Sequence, residues 1–124
     1  MDELYKEFIL ELNRNPLHKK VLNNFDIEQK AVNKSCGDDI KIQIKLDQNG
    51  IILDVGYQGQ GCAISQAGVS LLLDNIIKKK VSDIQAYDEE KMIDIFGTDI
   101  IYSRKKCLML GLDAVIAGLN SMKK

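Results

Sequence analysis

The sequence predicts an α+β protein, with helices packed on one face of a small antiparallel sheet. Three observations predict it. Apolar residues alternate strictly with polar ones from Ile40 to Leu46, and after turn residues Ile51, Leu53, Val55 and Tyr57 resume the alternation. Helical periodicity marks the first dozen residues and most of the second half. Strands come early and helices late, with no β–α–β alternation, so a parallel sheet is not expected.

The elements follow in order. Leu4, Tyr5, Phe8, Ile9 and Leu12 recur at helical spacing from about residue 2 to 14, and Asn13, Asn15 and Pro16 end that helix. Tyr5 and Phe8 are expected to face the core. Ile27 to Val32 reads as a short edge strand. Ile40, Ile42, Ile44 and Leu46 then alternate with Lys41, Gln43 and Lys45; Asp47, Gln48, Asn49 and Gly50 turn the chain; Ile51, Leu53, Val55 and Tyr57 resume the alternation. This is a hairpin with one buried face, and Gly56, Gly59 and Gly61 make a flexible approach to Cys62. From Ala63 to Lys80 the pattern is helical, with Ile64, Ala67, Leu71, Leu72 and Ile76 on one face and Lys78, Lys79 and Lys80 opposing the dipole at the end. A shorter helix spans Asp88 to Phe96, stopped by Gly97. The last starts near Cys107. Its stripe is Leu108, Leu112, Val115, Leu119 and Met122, and Gly111, Ala114 and Gly118 form a small-residue face for close packing.

With 124 residues and no linker, repeat or low-complexity segment, the chain reads as one domain over 1–124. No Trp and 6% aromatics mean that Ile, Leu and Val must build its core. The net charge of -1 gives no general case for nucleic acid or an anionic membrane as partner. Asp2, Glu3, Lys6 and Glu7 interrupt any signal-peptide pattern, and no apolar run approaches the ~20 residues that span a bilayer. The expected compartment is the cytoplasm, where three cysteines stay reduced. His18, the single histidine, lies far from every motif and reads as a surface residue.

The cysteines fall at element ends. Cys36 and Asp38 precede the first hairpin strand, Cys62 sits where the second strand hands over to a helix, and Cys107 enters the last helix behind Arg104, Lys105 and Lys106. A hairpin sets the start of its first strand beside the end of its second, so Cys36 and Cys62 should be neighbours. Helix N-termini and nearby cations favour thiolates, the form that binds metal or accepts sulfur. Three thiolates and a carboxylate suit Zn²⁺ or an Fe–S cluster with one oxygen ligand. Placement alone leaves this open against ordinary buried thiols, since no Cys-x-x-Cys is present.

At these residues the sequence resembles the NifU/IscU/SufU family of iron–sulfur cluster assembly proteins, nearly end to end. The resemblance rests on the opening helix with its Asn15-Pro16 ending, on Ser35-Cys36-Gly37-Asp38, on Gly59-Gln60-Gly61-Cys62-Ala63-Ile64-Ser65, and on Arg104-Lys105-Lys106-Cys107. It implies that Cys36, Asp38, Cys62 and Cys107 hold zinc, iron or a transient [2Fe–2S] cluster, with Asp38 the more labile ligand. It also implies a cysteine desulfurase as sulfur donor, Cys36 or Cys107 as sulfur acceptor, and apo-proteins as recipients. Homodimerisation is left open. Arg104 and Lys106 would offset the site's negative charge or dock the desulfurase. The role implied is a scaffold or sulfur carrier more than a turnover enzyme. Lys106 stands where IscU-type members carry histidine, which favours a SufU-type zinc-dependent sulfurtransferase. The short stretch between Cys62 and Cys107 is instead IscU-like. A domain in which zinc is merely structural is the third reading, disfavoured because a chain of this length folds without a metal staple.

Overall fold

The alternating segment forms a three-stranded antiparallel sheet in the order β1-β2-β3. The computed structural model describes residues 3–35, 37–100 and 102–122, and only the backbone of Glu3, Leu4 and Tyr102. Helix α1 (Glu3–Arg14) precedes strands β1 (Ile27–Asn33), β2 (Asp38–Leu46) and β3 (Ile52–Gln60). Helices α2 (Ala63–Ile76), α3 (Val81–Ile84), α4 (Glu89–Phe96) and α5 (Lys105–Ser121) follow, the last entered through a 3₁₀ turn at Tyr102–Arg104. Strand and helix bounds lie close to those expected from periodicity. The exceptions are α3, which is too short to show a period, and the end of α2.

Ile40, Ile42 and Ile44 of β2 are fully buried, and Val55 and Tyr57 pair beside them from β3. Together with Leu72, Leu73 and Ile76 of α2 and Leu108, Leu112, Val115 and Leu119 of α5 they form the core between sheet and helices. Glycine sets the spacing of these layers. A Cβ on Gly111 would lie 2.7 Å from Val69 of α2, and one on Gly118 would lie 2.7 Å from Ile27 of β1. The small-residue face of α5 is therefore where that helix meets both α2 and the sheet.

The second hairpin strand departs from simple alternation. Ile52 is fully buried whereas Leu53 is 53% exposed, because the register slips between Lys45 and Leu46. Lys45 pairs with Asp54 and Leu46 with Ile52, so Leu53 is the extra residue of a β-bulge. The bulge flips the face of everything before it, which is why Ile52 and Val55, three residues apart, both point inward.

The remaining departures are local. Helix α2 stops at Ile76, and Lys78 takes φ 71. Its N–H donates to Ile52 C=O (2.8 Å) while Ile52 N–H donates to Lys79 C=O (3.0 Å). Lys78–Lys80 therefore lie along the start of β3 instead of ending the helix. Phe8 is 45% exposed, set edge-on to Tyr5 while Ile9 and Leu12 carry the buried stripe of α1, and Met122 is exposed because it follows the last turn of α5. Tyr5 is half-buried, its hydroxyl donating to Phe96 C=O at the end of α4 (3.0 Å). His18 is partly covered, with Nε2 3.0 Å from Asp74 Oδ1, and its C=O accepts from Tyr57 N–H (3.0 Å). The face of the sheet away from the helices is not wholly solvated. Gln43 is buried there, accepting from Leu22 N–H (2.8 Å) and donating to Glu28 (2.8 Å). Among the described residues no helix is long and apolar enough to cross a membrane.

The bulge makes adjacent leucine and isoleucine unequal. Ile52→Ala is expected to cost about 2–5 kcal/mol in denaturant unfolding, as for a filled core position. Leu53→Ala should stay within about 0.5 kcal/mol; a larger loss at Leu53 than at Ile52 would show that the strand is in the simpler register.

Candidate metal centre

Three elements converge on one pole of the sheet. Asp38 opens β2, Cys62 is the N-cap of α2, and Cys107 lies in the first turn of α5. One ligand atom from each lies within 4.8 Å of the other two. Asp38 is 1% exposed and Cys107 0% exposed, while Cys62 is partly exposed.

The hairpin explains the first pair. Asp39 pairs with Gln60, so Asp38 arrives beside the Gly61–Cys62 exit from β3. Asp38 Oδ1 accepts the Cys62 N–H (2.8 Å), and Oδ2 accepts the Ser65 hydroxyl (2.6 Å). The glycines before Cys62 serve close approach, not flexibility. Gly59 holds φ 120, and a Cβ there would run into the Asp39 carbonyl. A Cβ on Gly61 would stand 2.7 Å from Asp38 Oδ1. Cys107 joins from the other side because α2 and α5 cross closely at Gly68 and Leu108.

Cys62 Sγ accepts from Ser65 N–H (3.5 Å) and contacts the Ser65 hydroxyl (3.4 Å). Burial pushes the Cys62 thiol up, but hydrogen bonding from Ser65 and from Cys107 beside it outweighs that and the opposing Asp38 charge. The net shift is downward, toward thiolate.

Of the residues predicted from sequence, Asp38, Cys62 and Cys107 are brought together, and Cys36 lies outside the described residues. Arg104 and Lys106 are exposed at the entry to α5, outside the cluster. Lys105 between them pairs with Glu89 (3.3 Å) and Asp99 (3.7 Å). A groove of about 740 Å³ runs along this side, lined by Lys34, Ser35, Ser103, Lys105, Lys106 and Asp113. Ser65 is the residue that sequence motifs leave without a role; its signal is the Cys62-x-x-Ser65 spacing, that of a helix N-cap and its third residue.

Residues 4–124 match the family described as NifU-like N terminal domain. Among curated proteins, the chain is 34% identical over 87 residues to the iron-sulfur cluster assembly scaffold protein IscU of Thermotoga maritima, covering 70% of this chain and 61% of that one. It is 37% identical over 81 residues to the zinc-dependent sulfurtransferase SufU of Bacillus subtilis, covering 65% and 54%. The matched stretch thus spans little more than half the length of these relatives. Among solved structures, FiSufU of Fervidobacterium islandicum superposes with a TM-score of 0.75 at 25% identity, covering 91% of this chain and 94% of that one. The N-terminal part of a NifU-like protein from Brucella abortus, at 21% identity and a TM-score of 0.79, covers 98% and 95% and shares the fold.

In metal-free protein the pH profile of Cys62 alkylation by iodoacetamide should have its midpoint below that of the same cysteine in denaturant. Coincident midpoints would contradict the hydrogen bonding described at the N-cap.

Proposed function

Because the chain belongs to the family of NifU-like N-terminal domains, we propose that it is an iron–sulfur cluster assembly protein acting as one domain over 1–124. The observation that carries this reading is the convergence of Asp38, Cys62 and Cys107, with ligand atoms within 4.8 Å of one another. Two sulfurs and a carboxylate oxygen are a fitting donor set for Zn²⁺, whose bond lengths of about 2.0–2.3 Å place tetrahedral ligands roughly 3.3–3.8 Å apart. Small side-chain rotations close that difference. Cys36, two residues before Asp38, is proposed as the fourth ligand.

On this reading iron and sulfur are cargo, joined on the site as a [2Fe–2S] cluster once an external electron donor has reduced each persulfide sulfur to sulfide, and passed to apo-proteins. Asp38 is the harder, weaker ligand for cluster iron and the one through which release begins. Sulfur comes from a cysteine desulfurase. A thiolate of Cys36 or Cys107 attacks the outer sulfur of the donor's persulfide; a new S–S bond forms as the old one breaks, and the donor cysteine leaves as thiolate. Exposed Arg104 and Lys106, the latter lining the groove along α5, attract negative charge on the donor. This chemistry needs reduced thiols, so the reading includes a reducing compartment such as the cytoplasm.

Lys106 favours a second reading. With lysine before Cys107, a resident zinc ordering the thiols makes a sulfurtransferase, and sulfur moves on as persulfide with no cluster built. Anaerobic incubation with iron, cysteine and a desulfurase, with and without an added reductant, separates the two. Cluster absorbance is expected from a scaffold; retained zinc with sulfur on Cys36 or Cys107 by mass spectrometry identifies the sulfurtransferase. Neither cluster nor added sulfur would refute both.

The core between Ile40 and Leu119 is built without the site, so the metal is not a folding staple. Chelation should leave the far-UV circular dichroism unchanged and only lower the melting temperature. Loss of the fold on chelation would mark a structural zinc domain instead.

A further inference from the structure

Ser65 is fully buried in the first turn of α2 and supplies none of the clustered ligand atoms. Its N–H donates to Cys62 Sγ, as the third residue of a helix does toward its N-cap. In a reciprocal capping box the side chain of that third residue would reach back to the N–H of the cap. Here Asp38 has entered from β2 to take the returning half. Cys62 N–H donates to one carboxylate oxygen at 2.8 Å, and the Ser65 hydroxyl donates to the other at 2.6 Å.

A hydroxyl has one proton to give. Ser65 Oγ lies 2.6 Å from Asp38 Oδ2 and 3.4 Å from Cys62 Sγ, so the proton goes to the carboxylate. With a donor on each oxygen, rotation of the Asp38 carboxylate is arrested. Each oxygen keeps a further lone pair for a metal. Replacing Ser65 by alanine would leave Oδ1 held by the backbone and Oδ2 without its donor.

We propose that Ser65 is a positioning residue of the metal centre, its hydroxyl holding Asp38 in the orientation in which the carboxylate acts as a ligand beside Cys62 and Cys107. This inference rests on the metal-site reading above. It differs from a packing role because Ser65 acts through Asp38, and the two substitutions should therefore not be independent.

The test uses zinc affinity by chelator competition and the visible spectrum of the Co²⁺-loaded protein for the parent, Ser65→Ala, Asp38→Ala and the double variant. Ser65→Ala is expected to weaken zinc binding by about 10–100-fold, the usual cost of losing an outer hydrogen-bond partner of a ligand. Its cobalt spectrum should move toward that of Asp38→Ala. In the Asp38→Ala background the same change should add no more than about twofold, the scatter of non-interacting sites. Parent-like affinity in Ser65→Ala, or its full loss repeated on top of Asp38→Ala, overturns the inference while the metal site stands. A parent that binds neither zinc nor cobalt overturns the site itself. One measurement needs no substitution at Ser65: in metal-free parent its hydroxyl proton should give a slowly exchanging resonance that disappears in Asp38→Ala. Absence of that resonance also overturns the inference.

Discussion

The Asp38 carboxylate is the joint on which the candidate metal centre depends. A carboxylate removed from water is costly unless its oxygens find donors. Asp38 finds them in the backbone of Cys62 and the hydroxyl of Ser65, both at the start of α2. The contact thereby pins the beginning of one strand to the beginning of a helix that lies much later in the chain. It also places the negative charge at a helix N-terminus, where peptide dipoles favour it. Gly61 is the concession required, since any side chain there would occupy the carboxylate's position.

Some of this was legible in the sequence, for identifiable reasons. The adjacency of Asp38 and Cys62 follows from hairpin geometry alone, because Ile40–Leu46 and Ile51–Tyr57 announce two paired strands with a turn between. The arrival of Cys107 does not follow, because it depends on how α2 and α5 cross at Gly68, Leu108, Val69 and Gly111. For Cys107 only the family resemblance brought the residue into the site. Cys36 still rests on that resemblance, being outside the described residues.

Other features were hidden for equally physical reasons. Ile51, Leu53, Val55 and Tyr57 satisfy an alternating pattern that Ile52, Val55 and Tyr57 satisfy only with a bulge, and nothing local separates them. The core decided, by taking Ile52. Three successive lysines after a helical run resemble a charged helix end, yet their backbone is needed to complete hydrogen bonding at the start of β3. Glycine near a reactive residue suggests freedom, but Gly59 and Gly61 are places where neighbouring groups leave no room. In each case tertiary contact overrode a sound local preference.

The unequal burial of the two described thiols has a consequence for timing. Cys62 is partly open to solvent while Cys107 is sealed behind it. Whatever enters from bulk water therefore meets sulfur in a sequence, first the helix cap and then the interior. The two described sulfurs are thus not equivalent toward a reagent arriving from bulk water.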